Sequence, residues 1–209
     1  MSVKVKICGI TSIADAVAVA EAGADMIGLM FYERSPRHIT VELAAEISRA
    51  VSPFILKVGV FVNPDEDTVM RAIGDCGVSL LQFHGEETPE FCTQFGAMSM
   101  KAFRVRDAGS LLALPNYPTD AYLLDAYSPD AHGGTGAKFN WDLALEAKAH
   151  GKPIFLAGGL TPENVGAAVR QVHPFGVDVS SGVESAPGKK DHAKVRAFIQ
   201  AVQQSQASA

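Results

Sequence analysis

Short apolar runs alternate along the chain with longer stretches in which apolar residues recur every three or four positions, the pattern of β-strands interleaved with amphipathic helices. Val3 to Ile7 predicts a first strand. Ser12 to Ala22 predicts a helix, with Ser12 as N-cap, Asp15 three residues on and Gly23 as C-cap. Met26 to Phe31 predicts a second strand, and Thr40 caps a helix to about Ala50. Ile55 to Phe61 is the third strand, after which Asn63-Pro64 supplies an N-cap and a first-turn proline for a helix ending near Gly77. Ser79 to Phe83 is the fourth, and Thr88-Pro89 opens the helix behind it.

The second half repeats the alternation. Met98 to Phe103 predicts strand five, with a weak helix around Ala108 to Leu114; Ala121 to Leu124 predicts strand six, with a helix from Asn140 to about His150. Pro153 to Ala157 predicts strand seven and Thr161-Pro162 the start of its helix; Val177 to Val179 predicts strand eight, and Asp191 to Gln203 the closing helix. Eight strand–helix units in 209 residues fit an α/β fold of one domain, residues 1–209, built as a closed parallel (β/α)8 TIM barrel. A doubly wound open sheet, the rival, usually carries five or six strands. No Gly/Ser/Pro-rich linker divides the chain, and only Gln204 to Ala209 reads as a frayed tail.

Composition narrows the function. With 47% hydrophobic and 20% charged residues the chain is an ordinary globular protein. A formal charge of −5, with no basic run, argues against a nucleic-acid partner. No apolar stretch is long enough for a membrane span, and the N-terminus is too short and too charged for a secretory signal. A cytoplasmic location follows, with Cys8, Cys76 and Cys92 as reduced thiols.

Chemistry on parallel sheets collects at the C-terminal strand ends. Strand seven ends in Gly158-Gly159 before Leu160-Thr161-Pro162, and strand eight ends in Ser180-Ser181-Gly182. Bare amides at a helix start bind anions, and barrels often hold phosphate after these two strands; the other reading is a pair of tight turns. Cys8 and Asp125 end strands one and six and form a candidate acid–base pair across the mouth. A buried apolar thiol and a helix cap are their bland alternatives. Strand alternation turns Val3, Val5 and Ile7 toward the helices and Lys4, Lys6 and Cys8 inward. Asp178 would face inward too, pairing with Lys6, and a cation there would lower the Cys8 pKa.

The segment Ala126 to Lys138, long for a strand–helix loop and carrying His132-Gly133-Gly134-Thr135-Gly136, reads as a lid or ligand cradle. His84 reads as a ligand contact or a hydrogen-bonded structural histidine. The other histidines lack metal-ligand spacing, and no dinucleotide fingerprint follows strand one. The residues alone thus describe a cofactor-free, metal-free enzyme acting by proton transfer on a small phosphorylated molecule.

Taken in order, Lys6-Ile7-Cys8-Gly9-Ile10-Thr11, Ser35-Pro36-Arg37, Gly59-Val60-Phe61-Val62-Asn63, Gln82-Phe83-His84-Gly85, Leu124-Asp125, Gly133-Gly134-Thr135-Gly136, Ala157-Gly158-Gly159-Leu160 and Asp178-Val179-Ser180-Ser181-Gly182-Val183-Glu184 resemble the phosphoribosylanthranilate isomerase family over essentially the whole chain. The resemblance implies a (β/α)8 barrel catalysing the Amadori rearrangement of N-(5-phosphoribosyl)anthranilate to 1-(2-carboxyphenylamino)-1-deoxyribulose 5-phosphate in tryptophan biosynthesis. It makes Asp125 the general acid, Cys8 the general base and Arg37 the holder of the anthranilate carboxylate. It assigns His84, Gly134 and Asp178 to the substrate, and Gly158, Gly159, Ser180, Ser181 and Gly182 to its phosphate. Phe83 and Asn140 depart from the family's usual leucine and aspartate. A second phosphosugar isomerase or epimerase on this barrel, or a silent phosphometabolite binder, stands as the alternative. The working unit is expected to be a monomer or a homodimer.

Overall fold

A computed structural model describes residues 2–126 and 141–207. Among the described residues eight parallel strands close into a barrel in sequence order: β1 (Lys4–Cys8), β2 (Met26–Met30), β3 (Leu56–Phe61), β4 (Leu80–Phe83), β5 (Met98–Val105), β6 (Ala121–Ala126), β7 (Ile154–Ala157) and β8 (Gly176–Val179). Closure is made by β8 on β1, with Lys4 opposite Gly176, Val5 opposite Val177 and Lys6 opposite Asp178. Helices α1 (Ile13–Glu21), α2 (Val41–Ala50), α3 (Glu66–Cys76), α4 (Pro89–Thr93), α5 (Trp141–Lys148), α6 (Val165–Val172) and α7 (His192–Ala207) surround it.

The pleat divides the core in two. Val5, Ile7, Ile27, Leu29, Leu81, Leu124 and Val177 face outward and pack with helical residues such as Val19, Ile47, Val69 and Phe198. Met26, Val58, Val60, Leu80, Met100, Leu123 and Phe155 fill the barrel interior. Each such large side chain contributes about 1.5–3 kcal/mol on burial, so the mouth of the barrel stands on a rigid, dry floor.

Several boundaries differ from the expected ones, each for a local reason. Asn63 takes φ 47° and cannot cap α3; Asp65 does so, accepting from the Thr68 amide at 2.8 Å. The weak helix after β5 is two short 3-10 turns, Ala108–Leu111 and Leu114–Asn116, because Gly109, Pro115 and Pro118 interrupt an α-helix. Thr161-Pro162 does not open α6; Asn164 stands at its N-cap position. The expected fray at 204 is also corrected. α7 runs through Ala207, with the Ser205 hydroxyl donating to the Val202 carbonyl at 2.7 Å and the Gln206 side-chain Oε1 accepting from the Val3 amide at 2.8 Å.

After β8 the chain makes an antiparallel hairpin, β9 (Glu184–Ala186) and β10 (Lys189–Lys190), which places Lys190 opposite Glu184. Among the described residues no helix is long and apolar enough to cross a membrane.

Candidate active site

A cavity of about 280 Å³ opens at the C-terminal ends of the strands. Cys8, Arg37, Gln82, His84, Asp125 and Asp178 line it together with Gly158, Gly159, Ser180, Ser181 and Gly182. Reading strand ends therefore collected residues that share one wall. Ala126 is the last residue of β6; Gly134 and the rest of the loop assignment to Lys138 fall in the segment 127–140, outside the described residues.

Cys8 enters this cavity from β1, where register sets it beside Gly28 of β2. A Cβ at Gly28 would approach the Cys8 sulfur to 2.7 Å, so the glycine makes room for the thiol. Two residues earlier on the same face, the Lys6 ammonium meets Asp178 Oδ1 at 2.9 Å, with the lysine fully buried. Burial by itself would push Lys6 down; Asp178 and Cys8 outweigh it, and its pKa lies above the ordinary lysine value. The Cys8 thiol moves the other way from the expectation. Burial raises its pKa and Asp178 adds to that, while Lys6 and Lys190 offset only part. A nearby cation is not enough against burial of the thiol, with the cation's own counter-ion nearby as well.

Arg37 follows β2, and its stem lies over Gly9 so closely that a Cβ there would run into the Arg37 Cδ. Its Nε and Nη2 donate to Glu184 Oε1 and Oε2 at 2.8 and 2.7 Å. Lys190, also buried, donates to Glu184 Oε1 at 2.9 Å and to the Ser180 carbonyl at 3.3 Å. These two cations overcome burial and hold the Glu184 carboxyl below its usual range, while burial lowers Lys190. The Arg37–Glu184 fork accounts for a guanidinium pKa above the ordinary one.

On the other side, His84 Nε2 lies 3.3 Å from Asp125 Oδ2, and Gln82 Nε2 lies 3.3 Å from His84 Nδ1. The loop bearing His84 is pinned from below. Glu87 accepts from the Gly85 and Asn63 amides at 2.9 and 2.8 Å, and Lys101 on β5 donates to Glu87 Oε2 at 2.7 Å and the Gly85 carbonyl at 2.6 Å. The bland reading of Asp125 as a helix cap gains nothing here: its carboxylate faces the cavity and the imidazole.

The two glycine loops adjoin. Gly158 and Gly159 both adopt left-handed backbone, φ 79° and 66°, which a side chain disfavours. Asn164 clamps that turn, its Oδ1 accepting from the Thr161 amide at 2.8 Å and its Nδ2 donating to the Gly159 carbonyl at 2.9 Å. Helix α6 therefore begins six residues beyond Gly159 (165 minus 159) rather than on the glycine pair, so backbone amides rather than that helix's dipole would meet an anion. Ser181–Val183 forms a 3-10 turn opening from Ser180. Asn164, Glu184, Lys190, Gln82 and the Glu87–Lys101 pair were not among the sequence's candidates. A lysine in the outward register of β5, and the turn signal Pro187-Gly188, were the available signs.

Among the described residues no group of three or more His, Cys, Asp or Glu side chains could hold a metal ion.

Residues 5–201 match a family model described as N-(5'-phosphoribosyl)anthranilate (PRA) isomerase. An N-(5'-phosphoribosyl)anthranilate isomerase of Geobacter sp. (strain M21) is 55% identical over 196 residues, 94% of this chain and 96% of that protein. The crystal structure of phosphoribosyl anthranilate isomerase from Thermotoga maritima superposes with a TM-score of 0.91, at 41% identity over 97% of this chain and 99% of the other. A structure of such an isomerase in complex with reduced 1-(o-carboxyphenylamino)-1-deoxyribulose 5-phosphate gives 0.88, at 38% identity with the same coverage. A third, of monomers generated from the dimeric Thermotoga maritima enzyme, gives 0.86, again at 38% identity and that coverage.

Proposed function

From the premise that the chain belongs to the N-(5'-phosphoribosyl)anthranilate isomerase family, we propose that its cavity carries out the Amadori rearrangement with Asp125 as acid and Cys8 as base. The chain is an isomerase of tryptophan biosynthesis. Asp125 gives its proton to the ribose ring oxygen as the bond from that oxygen to carbon 1 breaks, leaving an iminium to the anthranilate nitrogen. The iminium withdraws electrons from carbon 2, and the Cys8 thiolate takes the proton there. The freed electron pair forms a carbon 1–carbon 2 double bond and neutralises the nitrogen. Ketonisation of the resulting enol, with a proton delivered to carbon 1, yields the aminoketose.

Binding follows from the same wall. Arg37 takes the anthranilate carboxylate, for which a planar fork is suited, while Gly158, Gly159, Ser180, Ser181 and Gly182 take the phosphate through backbone amides. His84 and Asp178 contact the sugar between them. A relative was crystallised with a reduced form of this very product class, an anion at each end. The observation that carries the reading is the single cavity shared by Cys8, Asp125, Arg37 and both glycine loops. We place the enzyme in the cytoplasm, as a monomer or, like the dimeric relative, a homodimer; sedimentation velocity tells the two apart.

The test is an assay with phosphoribosylanthranilate generated in place, following its fluorescence. Wild type is expected to quench it, and Asp125→Asn to be slower by about two to four orders of magnitude. Equal rates would remove Asp125 as the acid.

A further inference from the structure

Gln82 sits between apolar neighbours in the barrel interior. Its register partners are Val60 on β3 and Met100 on β5, and it is only 1% exposed. Its amide nitrogen lies 3.3 Å from His84 Nδ1, while its carbonyl oxygen is buried and has no hydrogen-bond partner among the described residues. A glutamine NH2 can only donate, so the ring nitrogen it meets must offer a lone pair. A neutral His84 then carries its proton on Nε2, the nitrogen that stands 3.3 Å from Asp125 Oδ2.

We propose that Gln82 is a positioning residue for the acid: it fixes His84 as the Nε2–H tautomer, so that the imidazole donates to the carboxylate Asp125 becomes on releasing its proton. The role rests on Asp125 being the general acid. A carboxylate accepts a hydrogen bond more strongly than the neutral acid does, so the contact strengthens as the proton leaves and favours the transition state over the ground state. Turning the amide over would set Gln82 Oε1 on an Nδ1–H and reverse the tautomer. It would also strand both amide hydrogens, where now one of them and the oxygen are without a bond among the described residues, and orphaned donors are rarer than under-used carbonyls. The unpartnered oxygen is the residue of that choice.

The tautomer is read directly from long-range ¹H–¹⁵N correlations of the full ¹⁵N-labelled chain at about pH 8, where an ordinary imidazole is neutral. The His84 signals are those lost in His84→Gln. Wild type is expected to show a protonated Nε2 and a bare Nδ1. Gln82→Met, which keeps the length and suits the apolar layer, is expected to give mixed tautomers and about a tenfold lower kcat with KM within about twofold. Gln82→Glu, an acceptor, is expected to bring the proton to Nδ1. A wild-type proton on Nδ1, or a Gln82→Met protein with unchanged tautomer and kcat, overturns the proposal. Because the spectrum is recorded without turnover, this failure is separate from that of the acid assignment, which falls only if Asp125→Asn turns over normally.

Discussion

Arg37 and Glu184 meet fork to fork, Nε on Oε1 at 2.8 Å and Nη2 on Oε2 at 2.7 Å, across 147 residues of chain. Glu184 is brought there by the β9–β10 hairpin, whose register also sets Lys190 against it. The carboxylate thus orients Arg37 by one edge, and the ligand carboxylate proposed above would take the rest of the guanidinium. Arg37→Ala is expected to raise KM by about ten- to hundredfold, the worth of a charged hydrogen bond, with a smaller effect on kcat. Glu184→Gln, which leaves the side chain but weakens the fork, is expected to raise KM by about tenfold. Steady-state kinetics decide it; an Arg37→Ala enzyme with lowered kcat and unchanged KM would place Arg37 elsewhere in the reaction.

The Lys6–Asp178 pair is joined at 2.9 Å inside the barrel, the lysine wholly buried. Removing one partner leaves a charge with nothing to answer it, which costs about 3–5 kcal/mol. Lys6→Met and Asp178→Leu should each lower the unfolding free energy, measured by urea titration, by such an amount. The double variant should recover most of the loss, because an apolar pair of similar volume suits the interior, yet remain inactive for want of Asp178 beside the substrate. Losses that simply add would show that the two side chains stabilise independently.

How much of this was written locally in the chain differs between fold and site. Caps such as Ser12, Thr40 and Thr88 do accept from the amides expected of them, because a cap is decided within four residues. Alternation put Lys6 and Asp178 on one face, and closure of β8 on β1 made them neighbours. Glu184 was missed as the partner of Arg37 and Lys190 because that contact depends on a hairpin outside the strand–helix repeat. The Cys8 pKa was misjudged for a related reason. The cation was legible, but the weight of burial and of Asp178 depends on the completed barrel. Asn63 failed as a cap because Glu86, 23 residues on, donates to its side chain at 2.7 Å.

Gly182 is where the two anion loops touch. A Cβ there would run into the Leu160 carbonyl oxygen, backbone that cannot turn aside, so Gly182→Ala must spread the loop after β8 from the loop after β7. The amides proposed to hold one phosphate from two sides would then lose their common focus. Competitive inhibition by inorganic phosphate is expected to weaken by about tenfold, the loss of one good contact, with KM rising in parallel. Unchanged phosphate inhibition would move the phosphate site away from these loops.

The raised Cys8 pKa fixes a direction for the pH dependence. In the free enzyme burial, with Asp178 adding to it, holds the thiol above the ordinary value of 9.0 despite Lys6. If the thiolate is the base, the competent fraction grows with pH until the folded pKa is passed. kcat/KM, which reports free-enzyme groups, should therefore climb on the alkaline side with an inflection above that value. Asp178→Asn removes a negative neighbour and should shift the inflection to lower pH; Lys6→Met removes the cation and should shift it higher. Iodoacetamide alkylation of Cys8 should follow the same curve without any substrate, because the thiolate is the reacting form. A kcat/KM that falls with the same inflection, or that ignores Asp178→Asn, would take the base role away from Cys8.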